Sequence, residues 1–355
     1  VSTDQLDLIL PTPRRLNVVQ RADVLDRMLA LGLSFGIVGG IFVVTPLSGA
    51  VGMVACALPI FLALTATLAR RRHGSVAAWN EVATAVVTGC AALTFAALTI
   101  IVWFVVEKGI HGLSRNFFTQ TLEAVGPLDP PTVGGAKHAV IGTVEQVGLA
   151  ALLATPLGVL TAIYLAEYQG RLTRLVRFFV DSMSGIPSVV AGLFVYTAWV
   201  VGVHQGFSGM AAAMALAILM LPTVARTAEE MLRLVPGSLR EASYALGAPR
   251  WRTVLRVVLP TARAGVITSV VLGVARIAGE TAPLLMTAFG TDAVNANPTK
   301  GAQSSLPLFV YSRVRNSMPS EIARGWAGAL VLILIVLVLF TLARAIGSRT
   351  RKALR

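Results

Sequence analysis

Apolar residues along this chain gather into long runs separated by short charged or Gly/Pro-rich stretches. Eight runs, at about residues 28–46, 49–69, 83–106, 139–166, 176–200, 207–226, 264–289 and 325–346, are long enough to span a membrane. A helix needs about 20 apolar residues to cross the hydrocarbon core. A very short turn near Pro46–Gly49 joins the first two runs, which read as a helical hairpin placed before the rest. Two connections, 107–138 and 290–324, are long and rich in Gly, Pro, Ser and Asn. They fit plain connectors and docking loops for an outside partner equally well. The predicted class is an all-α integral membrane protein with about eight transmembrane helices. Its expected parts are a tail (1–27), the extra hairpin with its linker (28–82), the main transmembrane domain (83–346) and a second tail (347–355).

Composition agrees. Of 355 residues, 55% are hydrophobic and 13% charged, and mean hydropathy is +0.75; soluble domains carry about 25% charged residues. The net charge of +13 invites a nucleic-acid reading. The basic residues, however, lie in short blocks between apolar runs, which suits membrane orientation instead. Of 30 Lys and Arg, 22 fall on the side of the termini, seven on the opposite side, and Arg276 lies inside a span. That bias predicts cytoplasmic termini. Residues 1–24 lack the short apolar core of a signal peptide. Cys56 and Cys90 have no CxxC partner and read as small buried residues.

The densest signal is on the cytoplasmic side, in PGSLREASYALGAPRWRTVLRVVLP (236–260). Ser238 and Glu241 have capping-box spacing. The predicted helix, about 239–246, ends at Gly247 in a left-handed cap. Pro249 starts a second short helix and Pro260 closes it. By itself the segment fits a connector or a docking knob. Glu241-Ala242-Ser243, Gly247 and Val257-x-Leu259-Pro260 resemble the EAA motif of ABC importer permeases: E-A-A, three residues, G, nine residues, I-x-L-P. Ser243 and Val257 are mild departures. The resemblance implies a coupling helix at about 238–250 that docks on an ATPase subunit, with Glu241, Ala242, Gly247 and Pro260 as its marks.

Charges inside spans are costly and need a partner or a wet cavity. Counted from about residue 264 at about 1.5 Å per residue, Arg276 lies roughly 18 Å deep. Glu280 follows at i+4 on the same helix face, so the two side chains can pair. A structural ion pair and a substrate site are both open. Arg suits a tetrahedral oxyanion because its planar fork donates two parallel hydrogen bonds. Glu280 beside it favours an oxyanion that carries a proton. Arg226, at the end of the sixth run, is either a surface anchor or part of the same path, and Glu229 and Glu230 are expected to face the cytoplasm. Glu145 stays open between a buried, paired group and one near the outer surface. Gly185-Ile186-Pro187-Ser188 marks a break in the fifth span, either a cavity-lining one or a simple kink.

The strings Arg276–Leu285 (RIAGETAPLL), Gly185–Tyr196, Ala225–Pro236 and Gly134–Tyr168 resemble the PstA family of phosphate permeases in order and spacing, over about residues 83–346. The resemblance implies a six-helix ABC importer permease core, a phosphate path involving Arg276, Arg226 and Glu280, and location in a bacterial inner membrane. It also implies a PstC-type sister permease, a PstB-type ATPase dimer and a PstS-type binding protein as partners. ATP and Mg would belong to the ATPase, with no cofactor and no catalysis in this chain; GxxxxGK[ST], HExxH and G-x-S-x-G are absent from its sequence. The hairpin 28–69 departs from the six-span pattern. Permeases for molybdate or phosphonate are the nearest alternative, and a stand-alone channel or secondary transporter the next.

Overall fold

The computed structural model describes residues 21–45 and 49–352. Apart from an isolated bridge between Phe289 and Gln303, the regular structure among them is helical. Seven of these helices are long and apolar enough to cross a membrane, or eight when one bent pair counts as a single span. The chain is thus an all-α, multi-pass membrane protein. The described residues divide into two compact units, one up to Ile101 and one from Val102 onward, with the division inside one long helix.

In the first unit, α1 (Arg21–Val44) packs on α2 (Ala50–His73), as the predicted hairpin requires. The turn near Pro46 and most of the N-terminal tail lie outside the described residues. Helix α3 (Ser75–Gly112) begins in this unit, and its Glu81 accepts from Arg27 at 2.6 Å. Cys56 and Cys90, expected to be buried, are exposed on α2 and α3. A helix in hydrocarbon needs no protein cover over its apolar face, so small apolar residues are not driven inward there as they are in water.

The second unit is built on α5 (Lys137–Glu167) and α8 (Gly209–Arg233). Ala150, Ala154, Ala212, Ala213, Leu216 and Met220 form much of its core. The abundance of Ala and Gly lets the helix backbones approach closely; a Cβ on Gly158 would lie 3.0 Å from Val224. A short α4 (Arg115–Thr119) leads into the first long connection. At the end of the chain, α13 (Leu306–Val314) packs on α14 (Pro319–Lys352), so helix continues well into the predicted tail.

Two predicted spans differ from the structure. The fifth is two helices, α6 (Arg171–Ser184) and α7 (Ser188–Val195), the second continued by a π-helical turn to Val201. The two arms are bent by 101°. Pro187 lacks an N–H and disfavours helical geometry at Ile186, so the break falls at 185–187. The seventh begins earlier than residue 264. It starts at α10 (Arg250–Thr253), passes through a π-helical turn (Val254–Val258) and continues as α11 (Leu259–Ala278). Pro260 therefore does not close a helix. It lies in the first turn of α11, after the wide π turn, where its missing N–H is tolerated. The same run ends sooner than expected: Gly279 caps α11, and a separate α12 (Ala282–Thr287) follows.

Candidate functional site

Helix α9 (Gly237–Ala245) projects from the bundle between α8 and α10, and none of its residues is buried. Pro236 occupies its N-cap and no side chain caps it. The Ser238–Glu241 capping box therefore does not form, because the helix starts early enough to place Ser238 in its first turn. The C-terminus ends as the sequence predicts. Gly247 has φ +75°. Its N–H donates to Tyr244 O at 2.9 Å and that of Ala248 to Ser243 O at 3.2 Å, the paired bonds of a Schellman cap. Leu239, Tyr244, Leu246 and the nearby Trp251 are all exposed, and so are Glu241 and Ala242. This is an apolar knob lacking a cover of its own.

The knob is held to the bundle by Arg240, a residue the sequence reading did not single out. Its Nε and Nη2 donate to Glu167 Oε1 at 3.1 and 2.9 Å. Nη1 reaches Val235 O at 2.7 Å and Nη2 reaches Leu232 O at 2.9 Å. Glu167 is the last residue of α5 and is buried. One guanidinium thus ties α9 to the ends of both central helices. Ser243 Oγ and Thr253 Oγ1, 2.8 Å apart, tie it to α10.

Arg276 lies in the last turn of α11 rather than mid-helix, and its side chain is exposed within this chain. No ion pair joins it to Glu280 among the described residues. With α11 ended at Gly279, the i+4 relation no longer sets the two side chains on one face. Arg276 Nη1 instead donates to Thr223 Oγ1 at 3.1 Å. Arg226 is one turn further along α8 and on the same face as Thr223, so α8 brings the two arginines to one side. Arg226 is itself paired with Asp181 and, at 3.1 Å, with Glu229. Glu229 also accepts from Arg177 and Arg233, each at 2.7 Å. Its side chain is only 3% exposed, so it is the buried hub of three arginines rather than the solvent-facing group expected. Three charge-assisted bonds offset the desolvation of that carboxylate.

The breaks at Gly185–Ser188 and Gly279–Thr281 release α7 and α12, which pack on each other. A Cβ on Gly192 would stand 2.6 Å from the Cα of Pro283. This contact therefore needs glycine. Gly185 and Pro187 are exposed, and Ser188 and Glu280 half-buried, beside this contact.

At the other end of α5 lies a second polar cluster. Gln303 is 1% exposed. It donates to Glu145 Oε2 at 2.6 Å and to Asn295 O at 2.9 Å, and accepts from Gln146 Nε2 at 2.9 Å. Glu145 is therefore a paired group. Nearby, Arg313 bridges Asp292 and Glu321, and Glu321 pairs with the buried Arg324. Arg324 Nη2 reaches the carbonyls of Asp129, Pro130 and Val133 at 3.1, 3.0 and 3.2 Å. Both long connections are thereby fastened to the bundle.

Residues 154–352 match the family described as the binding-protein-dependent transport system inner membrane component. A phosphate transport system permease protein PstA 1 of Mycobacterium tuberculosis is 41% identical over 77% of this chain and 90% of its own length. The PstA proteins of Mycobacterium leprae and Yersinia pestis are 42% and 40% identical, over 68% and 71% of this chain and 80% and 84% of theirs. Among solved structures, an inward-facing MetNI methionine ABC transporter covers 61% of this chain and 96% of its own, with 19% identity and a TM-score of 0.48.

Proposed function

Because this chain belongs to the family of binding-protein-dependent inner-membrane transport components, in its PstA phosphate-permease branch, we propose that it forms half of the pathway of an ATP-driven importer of inorganic phosphate. The observation that carries this reading is the roughly 40% identity to PstA permeases across most of the chain, together with the exposed, glycine-capped α9. The chain is a non-catalytic subunit. ATP and Mg are bound by a PstB-type ATPase dimer that receives α9, so that Glu241–Gly247 and the neighbouring Pro260 segment form the coupling element. A PstC-type sister permease completes the pathway and a PstS-type binding protein delivers phosphate from outside. The protein resides in a bacterial inner membrane with both termini and α9 on the cytoplasmic face, in keeping with the excess of Lys and Arg there.

In this reading Arg276 and Arg226 guide the anion along the α8 face, with Thr223 holding the Arg276 fork between transport events. Glu280 and the break at Gly185–Ser188 border the path, where a broken helix turns polar groups toward the solute. The experiment is labelled phosphate uptake in cells lacking the gene, rescued by wild type, Arg276→Gln or Gly247→Glu at equal expression. Rescue by the wild type alone is expected. Failure of the wild type to restore uptake overturns the substrate; normal transport by Arg276→Gln removes that residue from the pathway.

A further inference from the structure

Beside α9, and separate from Arg276, the ends of α5, α6 and α8 enclose an open cavity of about 540 Å³. Its lining includes Tyr168, Gly170, Thr173, Arg174, Arg177 and Arg233. Four features of this cavity point to one ligand chemistry.

The first is charge. Arg174, Arg177 and Arg233 line the cavity, and its lining includes no carboxylate. Arg177 and Arg233 share Glu229, and Arg174 has no ion-pair partner among the described residues. The second is the start of α6, a helix of 14 residues whose N-cap is Gly170, with no side chain capping it. Its first N–H groups are free to bind an anion, and the helix dipole favours one there. The third is Thr173. It is 7% exposed, and its Oγ1 is buried without a hydrogen-bond partner. Thr173 lines the cavity, and a turn about its χ1 would offer this unpaired hydroxyl to an oxyanion bound there. The fourth is the opposite face of α6, where Leu172, Leu175, Phe178 and Phe179 are all exposed. Apolar residues on one face and arginines on the other make an interfacial helix, whose cationic side lies at headgroup depth.

We propose that this cavity is a phosphoanion-binding site, with Arg174, the Thr173 hydroxyl and the N-terminus of α6 as its donors. The ligand is the phosphate of an anionic lipid headgroup or free phosphate. The apolar face of α6 makes the headgroup the expected source. A ligand here touches the same arginines that hold Glu229 and lies next to the joint between α5 and α9. It is thus placed to stiffen the base on which α9 stands.

The test uses the assembled transporter in nanodiscs of phosphatidylcholine, with or without phosphatidylglycerol. Native mass spectrometry counts retained phosphatidylglycerol, and labelled inorganic phosphate is titrated in the phosphatidylcholine discs. Arg174→Gln should weaken retention of one phosphatidylglycerol about fivefold, the usual worth of one arginine at an anionic surface. Thr173→Val should weaken it in the same direction. If instead the two variants lose only a bound inorganic phosphate that Arg276→Gln leaves in place, the ligand is free phosphate. Wild-type binding of both probes by both variants overturns the proposal. Where Arg174→Gln does not assemble, Thr173→Val decides by the same comparison.

Discussion

Replacing Arg240 by methionine keeps the aliphatic stem and removes four hydrogen bonds, two to Glu167 and two to the carbonyls of Leu232 and Val235. Glu167 is buried, and its Oε1 takes both of the side-chain bonds. Removing one partner of a buried ion pair costs about 3–5 kcal/mol, because the other charge stays behind. Arg240 is partly reached by solvent, so the lower end applies. At about 3 kcal/mol, the equilibrium between held and released α9 shifts about 150-fold. The bundle itself keeps its core. The expected result is therefore specific: the transporter assembles, but α9 no longer moves rigidly with α5 and α8. In proteoliposomes the number of phosphates imported per ATP should fall severalfold, with ATP hydrolysis retained. In the permease freed of its ATPase, chymotryptic cleavage after Tyr244 or Leu246, both exposed in this chain, should quicken. Glu167→Gln in the Arg240→Met background removes the stranded charge and should recover thermal stability but not coupling. Unchanged coupling and cleavage in Arg240→Met, or a double-mutant interaction energy below about 0.5 kcal/mol, would refute the reasoning.

Gly192→Val forces a Cβ to 2.6 Å from the Cα of Pro283, and should lower the melting temperature by the equivalent of about 1–3 kcal/mol and abolish uptake; an unchanged melting curve counts against the α7–α12 contact. Gly247→Ala meets no neighbour yet must hold φ +75°, a strain of about 1–2 kcal/mol. It should reduce coupling while leaving expression intact, and Gly247→Asn should do less harm; equal behaviour of the two excludes a backbone cause. Arg324→Gln leaves Glu321 with Arg313 as its remaining ion-pair partner and the carbonyls of 129, 130 and 133 short of donors. A loss of about 3 kcal/mol or more is expected, read as lower melting temperature and faster proteolysis of the 120–135 connection. Thr223→Val takes away the acceptor of Arg276 and should alter phosphate uptake with assembly unchanged; wild-type kinetics would make that bond incidental.

Apolar runs marked where the long spans lie, because a backbone in hydrocarbon has to satisfy its own hydrogen bonds, but not where the fifth and seventh break. Gly247 was legible for a local reason: a left-handed residue closing a helix is a property of a few adjacent residues. What escaped the sequence was set by distant partners. Glu229 looked solvent-facing until Arg177, 52 positions away, was seen to reach it. Arg240 and Glu167 are 73 residues apart, and no spacing rule links them. Pro260 misled because proline ends an isolated helix, whereas here a π-helical turn prepares the chain for it. The shared helix face that made a pairing of Arg276 with Glu280 possible is lost at one residue, since Gly279 stops the helix between them.

Helix α5 has a further consequence. Glu145 and Gln146 fasten it at one end and Glu167 at the other, about 33 Å apart at about 1.5 Å per residue. It therefore acts as a strut of nearly constant length, with Pro156 its one weak point. A molecule braced this way cannot open by stretching. On the coupling role proposed for α9, displacement applied there would appear as rocking about the strut, with the breaks at 185–187 and 279–281 as the hinges. Alternating access, on this skeleton, would be a change of tilt rather than of thickness.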